Sequence, residues 1–190
     1  FLLDFFDKVY LFSPTAKLDD LAKHLNLKDE FLITDPTEEK LDAILKKQES
    51  LIQKHGIEIV GKKSKVLIIF DDIVSNQNFL KSTVMIKLAT MGRHFLISSI
   101  INTQSYTKIP RAIRLQANAI ILFPSSNNEV KLLAEDLTPP HCKAKNFMKL
   151  IEYATSGKHD FLFVNNFEPV KTRFRKGFKQ YLNPCPDQDN

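Results

Sequence analysis

The stretch "KVLIIFDD", Lys65 to Asp72, constrains the fold more than any other: five consecutive apolar residues, Val66 to Phe70, run straight into two adjacent carboxylates. A strand wet on one face alternates apolar and polar side chains. An unbroken apolar run suits a strand covered on both faces, as in a parallel sheet between helices. "HFLISSIIN" (94–102) and "AIILFP" (119–124) read the same way. Helical spacing surrounds them. Leu18, Leu21, Ala22 and Leu25 mark one helix, Leu41, Ile44, Leu45 and Ile52 a second, and Leu80, Val84, Leu88 and Met91 a third. The second is expected to open at Asp35-Pro36-Thr37-Glu38, with Asp35 as its cap, and to stop near Gly56. The third ends at Gly92, and further helices are expected over 127–135 and 143–154. "DKVYLFSPT" (7–15) reads as a strand ended by Ser13-Pro14, and "EFLIT" (30–34) as a second short apolar run.

This alternation predicts an α/β, three-layer fold on a mainly parallel sheet. The end of the chain departs from it. "HDFLFVNN" and "VKTRFRKGF" are strand-like runs split by Phe167-Glu168-Pro169, a C-terminal β-hairpin. Residues 1–182 are expected to form one domain and 183–190 a disordered tail.

Composition narrows the function less than it narrows the fold. The 190 residues, 43% hydrophobic and 26% charged, suit a soluble globular domain. No apolar run approaches the roughly 18–20 residues of a membrane span. The opening "FLLDFFDKVY" is broken by Asp4 and Asp7, without a basic leader or a cleavage site, so it does not read as a signal peptide. Cys142 and Cys185 give no disulfide framework and fit a reducing compartment, and His141 beside Cys142 lacks the second pair that a metal site needs. A net charge of +5 is compatible with a polyanionic partner without requiring one.

Asp71 and Asp72 end a buried strand, at the edge where open α/β sheets bind ligands. Carboxylates there need a cation, a donor or water. Either they cap the helix that follows, which Asp72 could do, or they hold Mg²⁺ and an attacking water as the Walker B acids of a P-loop nucleotide hydrolase do. The next strand ends at Gln104, where an amide could hydrogen-bond a γ-phosphate or its water.

The ordered set "KVLIIFDD", then "LATMGRHFLISSIINTQSYTKIPRAIRLQANAIILF", resembles the FtsK–HerA superfamily of DNA-pumping P-loop ATPases, in particular the genome-packaging ATPases of poxvirus-like large DNA viruses. The resemblance covers roughly 66–123. It implies a RecA-like fold, ATP and Mg²⁺ as cofactors, double-stranded DNA as the cargo and a ring of identical subunits. It also implies capsid or portal components as possible partners, and action in the host cytoplasm at a viral factory, or in the virion. Asp71 would be the Mg²⁺ ligand, Asp72 the catalytic acid and Gln104 the γ-phosphate sensor. Arg93 matches a position that can reach a neighbouring subunit's nucleotide as an arginine finger; its plain alternative is a solvated helix-end cation. Arg111 and Arg114 are weaker candidates for that task.

One part is missing. No spacing of the five glycines fits G-x-x-x-x-G-K-[ST]. In the family that loop precedes the segment resembling "DKVYLFSPT", so the chain is expected to be the C-terminal part of an ATPase, N-terminally incomplete, and inactive alone. In "VKTRFRKGFK", Lys171, Arg173 and Arg175 would share one face of a strand, as a DNA-tracking patch or as the solvated side of an edge strand. Two rivals stand beside the packaging reading: a non-catalytic, degenerate P-loop scaffold or DNA-binding subunit, and a conjugative or helicase-like translocase.

Overall fold

The computed structural model describes residues 5–17 and 20–185. Within the span read as one domain, the chain forms two compact units that divide between Ile113 and Arg114.

The first unit carries a four-stranded parallel sheet in the order β2-β1-β3-β4. These strands are β1 (Lys8–Phe12), β2 (Leu32–Ile33), β3 (Val66–Asp71) and β4 (Ile97–Asn102). β3 is central and buried on both faces, as its unbroken apolar run predicts. Val66, Ile68 and Phe70 join Phe12, Leu41, Leu45, Phe79, Met85 and Leu88 in one core. Leu67 and Ile69 join Val9, Leu11, Ala16 and Ala22 in the other. Helix α1 (Asp20–His24) supplies Ala22; Leu18, placed with it by spacing, lies outside the described residues.

Helix α2 (Glu38–His55) buries Leu41 and Leu45 and stops at Gly56, as expected. Its cap differs from the expectation. The Thr37 hydroxyl accepts from the Lys40 backbone N–H, while Asp35 instead meets the Lys40 ammonium at 3.3 Å. Helix α3 (Ile57–Lys63) leads into β3. Between β3 and β4 come α4 (Gln77–Leu80) and α5 (Thr83–Met91), the latter closed by Gly92. A Cβ there would sit 3.0 Å from the Ile97 carbonyl oxygen, so glycine lets the helix end turn tightly into β4.

β4 corrects one reading. It was expected to be buried, yet only Ile97 is; Ser98, Ser99, Ile100 and Asn102 are exposed, because β4 is the sheet's last strand. Apolar content alone does not separate a central strand from an edge strand.

A short helix, α6 (Arg111–Arg114), stands at the division. The second unit holds an antiparallel sheet, β5-β6-β7-β8, from β5 (Ala119–Leu122), β6 (Leu162–Asn165), β7 (Phe174–Lys176) and β8 (Gln180–Tyr181). The apolar run of β5 predicts another buried parallel strand; instead it pairs antiparallel with β6, and its burial alternates. Helices α7 (Asn127–Leu137) and α8 (Ala144–Ala154) bring Leu133 and Phe147 inside, and Phe147 packs edge-on against Phe174 of β7.

The expected C-terminal hairpin is present as β6 and β7, but "VKTR" is a helical turn, α9 (Val170–Arg173), and not strand. Gly177, at φ +60°, makes the β7–β8 turn. Against the expectation of unpaired thiols, Cys142 and Cys185 form a disulfide with a Cα–Cα distance of 5.2 Å, inside the ordinary range. The fold brings the α7–α8 connection to Cys185, four residues past β8, a proximity invisible at a separation of 43 residues. Pro184 is buried and Cys185 bonded; residues 186–190 of the expected tail lie outside the described residues.

Candidate functional site

Asp71 is the last residue of β3 and Asp72 the first beyond it. The strand delivers both to the carboxyl edge of the parallel sheet, and neither is fully buried. Asp72 takes a left-handed backbone, φ 51° and ψ 29°, which Asp tolerates better than most residues. That conformation turns the chain sharply off the strand into a 3₁₀ turn, Ile73–Ser75.

The capping alternative for these acids is not realised: the Asp72 side chain caps nothing in the turn that follows. The next helix, α4, is capped by Asn76, whose side-chain oxygen accepts from the Phe79 N–H. Among the described residues, Asp72 has no side-chain partner and Asp71 has one, Asn102, whose amide donates to Asp71 Oδ1 at 2.6 Å. Three of the four carboxylate oxygens are therefore uncommitted.

No sequence pattern marks Asn102. Its place follows from the register: β3 and β4 run parallel with Val66 opposite Ile97 and Asp71 opposite Asn102. Gln104 lies two residues beyond, exposed, on the same sheet edge. The bend that carries the chain past it is held by Thr103, whose hydroxyl accepts from the Ser105 N–H at 3.0 Å.

Arg93 is elsewhere. It sits exposed in a 3₁₀ turn, Gly92–Phe95, that precedes β4, at the amino edge of the sheet. The six residues of β4 span about 20 Å. Arg93 thus cannot serve the acids of its own chain, and its Nε donates to His94 Nε2 at 3.4 Å. Arg114 is buried against Asp136, Nε to Oδ2 at 2.8 Å, which removes it as a candidate finger.

Lys171, Arg173 and Arg175 do not share a strand face, because the first two lie in α9 and only Arg175 is in β7. Arg173 donates to the Glu168 carbonyl at 3.2 Å. Arg175 pairs with the Glu168 carboxylate and lies over the rings of Phe163 and Tyr181. This hydrogen bond from Arg175 holds the Glu168 carboxyl below its ordinary value. Of the three, Lys171 is the exposed one.

The donor set fits Mg²⁺. That ion is bound through one or two carboxylates and otherwise through water and substrate phosphates, unlike a cation held in an all-protein cage. Two adjacent acids at a sheet edge, with free oxygens, offer that arrangement. Among the described residues no group of three or more His, Cys, Asp or Glu gathers as a metal cage, and His141 and Cys142 make none.

The poxvirus A32 protein family matches residues 2–175, nearly the whole chain. This chain belongs to that family. No curated protein sequence matches it. Among solved structures it is similar to the genome packaging NTPase B204 of Sulfolobus turreted icosahedral virus 2. With the complex containing ATP-gammaS the TM-score is 0.52 at 15% identity, over 82% of this chain and 76% of that one. With the AMP complex it is 0.53 at 14% identity, over 88% and 80%. At such identities the likeness establishes the fold. The chain thus has the expected α/β fold on a parallel sheet, as in the packaging NTPases, with a second, antiparallel sheet. No helix among the described residues is long and apolar enough to cross a membrane.

Proposed function

We propose that this A32-family chain is the Walker B half of an ATP-driven motor that packages double-stranded DNA into a viral capsid. Asp71 ligates Mg²⁺ on the nucleotide, Asp72 orients or deprotonates the attacking water, and Gln104 contacts the γ-phosphate. The observation that carries the reading is the uncommitted acid pair at the carboxyl edge of a doubly buried central strand, beside the strand that ends in Asn102 and leads to Gln104. The structural relatives with bound nucleotide analogues support ATP as the ligand.

The phosphate loop is not in these 190 residues, so the chain is inactive without it. The outer edge of β4, exposed at Ser98, Ser99 and Ile100, offers the unpaired backbone on which a further strand leading into such a loop can add. Arg93, out of reach of its own acids, suits a finger given to the next subunit of a homo-oligomeric ring. Lys171 suits a phosphate contact with DNA, and capsid or portal components are the partners such a motor docks to. Its place of action is the viral factory in the host cytoplasm, or the virion.

The test is steady-state ATP hydrolysis by the polypeptide that includes the phosphate loop. Mg²⁺-dependent turnover stimulated by double-stranded DNA is expected, and Asp72→Asn should lower kcat by about 10²–10⁴-fold, the usual weight of a positioned acid or base. The absence of G-x-x-x-x-G-K-[ST] from the chain favours one second reading, a non-catalytic scaffold or DNA-binding subunit. A gene with no such loop upstream, and a product without turnover, would establish it. A motor that moves DNA but does not fill capsids would point to a conjugative or helicase-like translocase.

A further inference from the structure

We infer that Asn102 is a positioning residue for the metal ligand: it holds one oxygen of Asp71 so that the other is presented to the cation. The inference rests on the metal-ligand role proposed for Asp71. The Asn102 amide donates to Asp71 Oδ1 at 2.6 Å, and no other hydrogen bond or ion pair of the Asp71 side chain exists among the described residues. The direction of this bond is fixed by chemistry, because an ionised carboxylate only accepts and only the NH₂ end of the amide can donate. The Asn102 carbonyl oxygen is therefore turned away from Asp71, and it has no partner among the described residues.

The backbone supports the contact without help from packing. Parallel register sets Asp71 directly opposite Asn102 at the last paired position of the two strands, and the ladder continues back to Val66 and Ile97. A carboxylate held on one oxygen by a neutral donor keeps its charge and loses rotational freedom, which is how outer partners orient metal ligands. Aspartate at position 102 would put a second negative charge at hydrogen-bond distance. Glutamine would carry the amide one methylene too far. Asn102 is exposed, so replacing it opens no cavity.

The experiment uses the full-length protein that carries a phosphate loop and compares Asn102→Ala, the near-isosteric Asn102→Leu, Asp71→Asn and wild type. Mn²⁺ binding in the presence of ATP-gammaS is followed by electron paramagnetic resonance, and nucleotide affinity in EDTA is measured separately. The two Asn102 variants are expected to lose Mn²⁺ affinity by about 10–100-fold, the typical effect of removing an outer partner, with metal-free nucleotide affinity and melting temperature unchanged. Wild-type Mn²⁺ affinity in both Asn102 variants, with Asp71→Asn defective, overturns the inference and leaves the Asp71 role standing. Wild-type affinity in Asp71→Asn overturns both. Two Asn102 variants are used so that a failure of one to fold leaves the other to decide.

Discussion

The two units differ in the acids that stand nearest their sheets. In the antiparallel unit the acids near its strands are answered: Asp136 by Arg114 at 2.8 Å, Asp160 by Lys176 at 2.7 Å, and Glu168 by Arg175. In the parallel unit, Asp71 and Asp72 stand at the end of the best-buried strand with most of their oxygens unanswered. Two acids without a counter-charge at the end of a core strand add nothing to its packing, and such departures from local consistency are where ligands act. Answered charges hold a fold; unanswered ones at a sheet edge are kept for something else.

The sharpest way to break this contrast is to neutralise one acid of each kind. Asp136 is 4% exposed and Arg114 7%. Removing Asp136 takes the carboxylate from a buried guanidinium, so Asp136→Ala should destabilise the antiparallel unit by up to about 3–5 kcal/mol. Asp72→Asn should cost little stability, since asparagine accepts the left-handed backbone as readily and no side-chain bond is lost. Urea unfolding of both variants checks this. Comparable losses at the two positions would mean that Asp72 is a structural residue after all.

A second, smaller effect separates the units by redox state. The Cys142–Cys185 bond closes a loop across a sequence separation of 43. In the chain-entropy account its reduction removes about 4 kcal/mol at most from the unit that contains it. Amide exchange with and without reductant, or in Cys142→Ser, should show faster exchange in β8 and the residues that follow it. Residues 8–102 should be unaffected. An equal rise in both units would contradict the division.

What could be read from the sequence follows the same contrast. β3 and its acids were legible because burial on both faces leaves a pattern that survives in one dimension. The helix expected from Leu80 to Met91 is instead two, with Leu80 in α4, and α5 buries Met85 and Leu88 while Met91 is exposed. The exposure of β4 was not legible, since Ile100 and Ile101 look like core residues until the strand order is known. Asn102 was invisible for a related reason: only the stagger of two parallel strands sets it opposite Asp71, and no short-range pattern encodes stagger. Asp35 lost the α2 cap to Thr37 because Lys40 offers its backbone N–H to one and its ammonium to the other. The basic run near the end misled more. Read as a strand, Lys171, Arg173 and Arg175 make a patch; the helical turn α9 separates them, and Glu168 engages both arginines, a local pairing that charge counting cannot reveal.

Glu168 gives the last and smallest test. The hydrogen bond from Arg175 is the main cause holding its carboxyl below the ordinary 4.5, with a smaller contribution from Thr172. Lys176 does the same for Asp160, below its ordinary 3.8. A carboxyl whose folded pKa is depressed binds fewer protons in the folded state than in the unfolded one. Its stabilising contribution is therefore complete above its ordinary value and is lost as pH falls toward the folded pKa. The antiparallel unit should thus weaken progressively below about pH 4.5, and Glu168→Gln should flatten the upper part of that decline while lowering stability slightly at neutral pH. Lys171→Gln, at an exposed residue outside the pairs, should leave the profile unchanged. Urea midpoints at a series of pH values decide the matter. If Glu168→Gln and the wild type weaken in parallel, the Arg175 pair is a surface contact with no hold on the fold, and Arg175 becomes available to a polyanion.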